Sequence, residues 1–203
     1  MDFATLNERM DRVSAALQRD GVAAGSVVAI CSQTSLDYAV LLLGAIRAGV
    51  VFAPLVTVAM PETLAVMIAD SDAKLLFVDP RSADWLLPVA KSISVPWIKI
   101  GTPREAGSFE DWLAPPGARS EPVTTRPEWP FNIIYSSGTT GVPKGIVQSH
   151  ALRWGSLRQP RTAVSGRRWL RCHPRLCIRT PHSPVCCRRW RGEVASCSWT
   201  SST

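Results

Sequence analysis

The chain has 203 residues, 46% of them hydrophobic, with six cysteines and a formal net charge of +7. Through Leu157 it carries thirteen Lys and Arg against fifteen Asp and Glu, net −2, and from Arg158 onward ten Arg against Glu193 alone, net +9. The length suffices for one domain with a real core, and the first 157 residues are not a basic nucleic-acid- or membrane-binding domain.

Asp2 is placed to cap a helix whose apolar residues, Phe3, Leu6, Met10, Val13 and Leu17, recur at the spacing of one buried face, with Gly21 as its stop. Val27–Cys31 is a short strand rich in β-branched residues. Ser35 caps a second helix that runs to about Ala48 and stops at Gly49. Val50–Leu55 is an apolar strand, Pro61 opens a helix through Asp70, and Ala73–Val78 is a third strand. A weaker helix is predicted over Asp84–Lys91 and a fourth strand over Trp97–Ile100.

Two segments bear on membranes. Met1–Asp20 is charged and amphipathic, unlike a signal peptide. Tyr38–Met60 is apolar, but Arg47 in its middle and the breakers Gly49 and Pro54 argue for a helix followed by a strand. The expectation is a cytoplasmic protein without a membrane span.

Strands alternating with helices at this spacing predict an α/β fold with a doubly wound, largely parallel sheet and flanking helices. The nearly continuous apolar strands fit a sheet covered on both faces. Cys31 reads as a small buried hydrophobe. Six prolines between Gly101 and Pro130 make that stretch a connection, with one short amphipathic turn at Phe109, Trp112 and Leu113.

The connection delivers an apolar strand, Phe131–Tyr135, and then Ser136-Ser137-Gly138-Thr139-Thr140-Gly141-Val142-Pro143-Lys144-Gly145. Four hydroxyl residues, three glycines and a lysine fall within ten positions. Glycine lets the backbone turn sharply and present its N–H groups, the hydroxyls add donors, and lysine adds a point charge suited to phosphate. This is a loop that holds a polyphosphate. It is neither the Walker pattern, since Lys144 follows Pro143 and precedes Gly145, nor the dinucleotide glycine pattern. A Ser/Thr/Gly turn in a linker is the plain alternative. Beyond the loop, Ile146–Gln148 is a brief strand, and Ser149 caps a helix that starts at His150.

From Tyr135 to Gly145 the chain resembles, position for position, the phosphate-loop signature of the adenylate-forming (AMP-binding) superfamily. That superfamily includes acyl-CoA synthetases, luciferases and the adenylation domains of peptide synthetases. The segment GVAAGSVVAICSQTSLDYAVLLLGAIRAGVVFAPL also looks like the family's early helix–strand–helix–strand segment. The resemblance covers roughly residues 3 to 157.

It implies a two-step reaction in which a carboxylate attacks the α-phosphorus of ATP and a thiol, usually that of coenzyme A, then takes the acyl group. By the same resemblance Ser136, Ser137, Thr139 and Thr140 hold the β- and γ-phosphates, while Gly138, Gly141 and Gly145 let the backbone approach. Lys144 neutralises charge on the departing pyrophosphate with Mg²⁺ assisting, and a histidine at the place of His150 stands near the acyl pocket. On residue type alone, a packed surface histidine is an equal reading of His150. Another NTPase using the same loop for hydrolysis is the rival within enzymes. Residues 1–157 are thus expected to be the N-terminal part of an AMP-binding domain. No match to the family's later adenine-, ribose- and metal-binding motifs follows, so these 203 residues alone are expected to be inactive. The particular acid, the thiol and the oligomeric state stay open.

Beyond Leu157 neither apolar period persists, and residues 158–203 read as an unstructured Arg-, Cys- and Trp-rich tail. A zinc site from Cys172, His173, Cys177, His182, Cys186 and Cys187 lacks paired CxxC knuckles. A nucleic-acid arm usually mixes Lys with Arg and seldom carries five cysteines and three tryptophans, so no nucleic-acid partner is expected. A displaced reading frame explains the composition better. Codons formed from the last base of each codon and the first two of the next permit SSTPLYSNTTL from Cys172 through His182. They also permit LLPT from Val185 and LMDKFD from Cys197. These strings resemble the family's continuation after the phosphate loop.

Overall fold

The structure, a computed structural model, describes residues 1–136 and 143–157. The chain runs α1 (Phe3–Arg19), β1 (Val27–Cys31), α2 (Leu36–Arg47), β2 (Val51–Pro54), α3 (Pro61–Asp70), β3 (Ala73–Val78) and α4 (Pro80–Leu86). After a 3₁₀ turn at Leu87–Ser92 come β4 (Trp97–Lys99), α5 (Phe109–Trp112), β5 (Pro130–Ser136), β6 (Lys144–Ser149) and α6 (His150–Leu157). The tail read as unstructured lies outside the described residues.

The strands form one six-stranded sheet in the order β4-β3-β1-β2-β5-β6. All pairings are parallel except that of β5 with β6, which is antiparallel. The α/β, largely parallel sheet with flanking helices expected from the sequence is therefore present. β1 shows why its run is apolar throughout. Val28 and Ile30 join one core with Val13, Leu17, Val40, Leu41, Phe52 and Phe77, beneath α1 and α2. Val27, Ala29 and Cys31 join the other with Leu64, Met67, Ile68 and Leu86, beneath α3 and α4. Successive side chains on a strand point to opposite faces, so both must be apolar when both are covered.

The caps expected from the sequence are made. The Asp2 carboxylate accepts the Thr5 N–H at 2.8 Å, and the Ser35 hydroxyl oxygen accepts the Tyr38 N–H at 3.1 Å. The helix predicted over Asp84–Lys91 is displaced. Asp79 caps α4 by accepting the Ser82 N–H at 2.7 Å, with Pro80 in the first turn. Pro88, which has no N–H to donate, then falls in the 3₁₀ turn that replaces the expected last turn.

The proline-rich connection is held as a strap along α1. Arg12 Nε donates to the Ala114 carbonyl at 2.7 Å, and the Ser14 hydroxyl donates to Ser120 at 2.8 Å. Gln18 donates to the Glu121 carbonyl and accepts the Glu121 N–H, at 2.9 and 2.8 Å. Phe109 is buried and stacks on Trp112, and both rings meet Phe77 edge-on.

α1 and α2 touch where α2 has no side chain. A Cβ placed on Gly44 would come within 2.5 Å of Val13 Cβ and Cγ1 and 3.1 Å of the Met10 carbonyl. Gly44→Ala should therefore destabilise the fold by about 1–3 kcal/mol through overpacking, although alanine favours a helix by about 1 kcal/mol. Urea unfolding checks this as a lowered midpoint.

Candidate functional site

In parallel α/β sheets, ligands bind outside the carboxyl ends of the strands. β5 runs parallel to β2, with Asn132 beside Phe52, so its last residue, Ser136, emerges at that edge. Ser136 pairs directly with Lys144, the first residue of β6. The two strands that flank residues 137–143 thus end in register. Ser137, Gly138, Thr139, Thr140 and Gly141 lie outside the described residues.

The rims are built differently. Lys144 is exposed, and among the described residues no carboxylate pairs with it. Ser136 is partly buried. Gly145 stands opposite Tyr135, and a Cβ there would lie 3.1 Å from Ile133 Cγ2 and 3.3 Å from Tyr135 Cε1 and Cζ. Its glycine is therefore also a packing requirement of the strand pair.

Tyr135 is 7% exposed, and its hydroxyl lies 2.9 Å from the Met67 carbonyl and 3.0 Å from Asp70 Oδ2. Burial first, then the Asp70 charge, raises its pKa well above the usual tyrosine value. The hydroxyl stays protonated as a donor to the end of α3. Sequence reading placed Tyr135 in the strand but found neither this tie nor the antiparallel pairing that makes the hairpin.

His150 sits at the other end of β6. It lies six positions from Lys144, a strand distance of about 20 Å at ~3.3 Å per residue. Its N–H donates to the Trp129 carbonyl at 3.0 Å, its ring meets Phe131 edge-on at 5.2 Å, and partial burial lowers its pKa. The hairpin sets His150 apart from the loop rim.

Between the two ends lie Asn132 and Gln148, cross-strand partners, 5% and 7% exposed, whose Oδ1 and Oε1 have no hydrogen-bond partner. Cys31 is buried, and burial pushes its thiol up to about 11, which keeps it from nucleophilic chemistry at neutral pH. Among the described residues no group of three His, Cys, Asp or Glu side chains is placed to hold a metal ion. The cysteines and histidines weighed for zinc lie outside those residues. No helix among them is long and apolar enough to cross a membrane.

A rim of serine and lysine at the carboxyl edge of such a sheet is what the family resemblance requires, and comparison with known proteins decides it. The family model described as AMP-binding enzyme matches residues 1–181. The chain belongs to that family. The match runs past Leu157 into the arginine-rich tail.

Among curated relatives, a dimodular nonribosomal peptide synthase of Bacillus subtilis (strain 168) is 31% identical over 153 residues. That alignment spans 74% of this chain and 6% of the synthase. Among solved structures, the anthranilate CoA ligase AuaEII in complex with anthranoyl-AMP aligns with a TM-score of 0.68 and 25% identity, over 74% of this chain and 30% of the ligase. Apo MatB from Rhodopseudomonas palustris aligns with a TM-score of 0.65 and 30% identity, over 77% and 31%. This AMP-binding chain therefore spans under a third of each of these two structures, and far less of the dimodular synthase.

Proposed function

We propose that the chain is the phosphate-holding, N-terminal part of an enzyme that activates a carboxylic acid with ATP and passes the acyl group to coenzyme A. In the first step a carboxylate oxygen bonds to the α-phosphorus, and the bond to the bridging oxygen of the β-phosphate breaks. An acyl-adenylate forms and pyrophosphate leaves with the negative charge. In the second step a thiolate attacks the acyl carbonyl and AMP leaves. Ser136 and Lys144 flank the leaving group, and Ser137, Gly138, Thr139, Thr140, Gly141 and Gly145 complete the cradle. The described residues offer no acidic cage for Mg²⁺, which enters with ATP as part of the substrate.

The observation that carries this reading is the register of Ser136 with Lys144 at the carboxyl edge of the sheet. It sets a hydroxyl and an ammonium at the two ends of the glycine-rich tip. The likeness to CoA ligases of known structure supports coenzyme A as the thiol. The 31% identity to a peptide synthase favours a second reading, in which the acid is an amino acid and the thiol belongs to a carrier domain.

Inorganic tripolyphosphate tests the loop without needing the nucleoside site. The 203-residue chain should bind it, and Lys144→Ala should weaken binding by about tenfold or more, the worth of a hydrogen bond to a charged group. Titration calorimetry at low salt reads the effect. Equal affinity in the two proteins would remove Lys144 from the proposal.

A further inference from the structure

The loop's two rims are fixed by a side chain outside the hydroxyl–glycine–lysine set. We infer that Tyr135 is a positioning residue for phosphate binding, acting through its hydroxyl tie to the end of α3 and its ring contact with Gly145. The inference rests on the phosphate-loop reading above.

Three observations carry it. First, Tyr135 immediately precedes Ser136, and its register partner Gly145 immediately follows Lys144. One cross-strand pair therefore sits directly beneath both rim residues. Second, the ring lies so close to Gly145 that a single added carbon would meet Cε1 and Cζ at 3.3 Å. The separation of the strands at the rim is set by this ring against a bare backbone.

Third, the hydroxyl, with one proton to share, reaches both the Met67 carbonyl and Asp70 Oδ2. It joins the hairpin to α3, an element 65 to 68 positions earlier in the chain. A buried tyrosine that needed only to pack could be phenylalanine. The hydroxyl adds direction, because it locks the ring's long axis onto the helix end.

A phosphate site of this kind depends on where its donors stand, and a displacement of order 1 Å is costly. Ser136 and Lys144 inherit their places from the pair below them. Tyr135→Phe keeps the ring and removes the tie. Asp70→Ala, at an exposed position, removes one acceptor and leaves the ring and hydroxyl intact.

The experiment compares the full 203-residue chain with Tyr135→Phe, Asp70→Ala and Lys144→Ala. Each is titrated with inorganic tripolyphosphate, and each is melted without ligand. The expected result is that Tyr135→Phe weakens tripolyphosphate binding about threefold to tenfold, the equivalent of one hydrogen bond. Asp70→Ala should weaken it less, since the Met67 carbonyl remains. Tyr135→Phe→Tyr reversion restores affinity. A purely structural tyrosine would lower the melting temperature and leave the affinity of the folded protein unchanged, and that outcome overturns the inference. If Tyr135→Phe does not fold, Asp70→Ala decides: unchanged affinity there overturns it, and weakened affinity supports it. Tripolyphosphate binding that is absent, or indifferent to Lys144→Ala, brings down the phosphate-loop reading and this inference together. Binding that responds to Lys144→Ala but to neither Tyr135→Phe nor Asp70→Ala brings down this inference alone.

Discussion

Carboxylate-dependent exchange of pyrophosphate into ATP should be absent from the 203-residue chain and present in the protein read from a restored frame. On the proposed reading the loop grips phosphates, but phosphate contacts alone do not hold the nucleoside or orient the attack on the α-phosphorus. In adenylation, positioning supplies much of the rate, about 7–11 kcal/mol when both reactants are held. The expected difference is therefore between no measurable turnover and ordinary turnover.

The frame proposal rests on three sequence observations: the change of net charge from −2 to +9, the loss of apolar periodicity, and the family-like strings that the displaced codons permit. Since the family match reaches residue 181, resequencing should cover codons 150 to 203 and beyond. One base gained or lost between His150 and Cys172 should open a longer frame that carries the nucleotide-binding motifs and a C-terminal lysine. A stop soon after the displaced segment, with no family motif past it, would defeat the proposal. So would robust exchange by the 203-residue chain that is abolished by Lys144→Ala. A hydroxamate assay across carboxylic and amino acids, followed by consumption of free coenzyme A, would then separate the two readings of the thiol.

Phe77→Ala should cost about 3–5 kcal/mol of folding stability. Phe77 is fully buried in β3, the strand between β1 and β4. Its ring meets Trp112 at 5.1 Å and 74° and Phe109 at 6.3 Å and 80°, edge-on geometries that add to the area buried. Truncation opens a cavity between the sheet and the strap, and two aromatic rings lose their partner at once. Since domains of this size have about 5–15 kcal/mol in all, the urea midpoint should fall steeply. Phe3→Ala is the control. Phe3 is 90% exposed, and its loss should change stability by no more than about 0.5 kcal/mol. Equal effects at the two positions would contradict the core assignment.

What could be read beforehand, and what could not, follows from how local each signal is. The cap at Asp2, the stop at Gly49 and the opening of α3 at Pro61 are decided by neighbouring residues, and they stand where the sequence put them. The apolar run of β1 announced a strand covered on both faces. α4 was misplaced because a strong local cap, Asp79 before Pro80, outweighed a weak apolar pattern further on. The strap was legible only as a connection. Its course depends on Arg12, Ser14 and Gln18 of α1 finding backbone and side-chain partners about a hundred positions away. The phosphate reading of the loop rests on its residue types alone. Its mounting was not legible, since the Tyr135 tie joins residues 65 to 68 positions apart and leaves no local trace.

The pairing of Phe52 with Asn132 has a bearing on how the protein is made. At about 5–20 residues per second, a ribosome that has just released β2 needs roughly 4–16 s to supply β5. During that interval the strands through β4 can assemble around β1, while β2 presents a bare hydrogen-bonding edge flanked by Phe52 and Val51. Such an edge recruits other chains. The nascent protein is therefore most exposed to aggregation before its hairpin arrives, and slow codons or a pause within residues 101–130 should lengthen its dependence on chaperones.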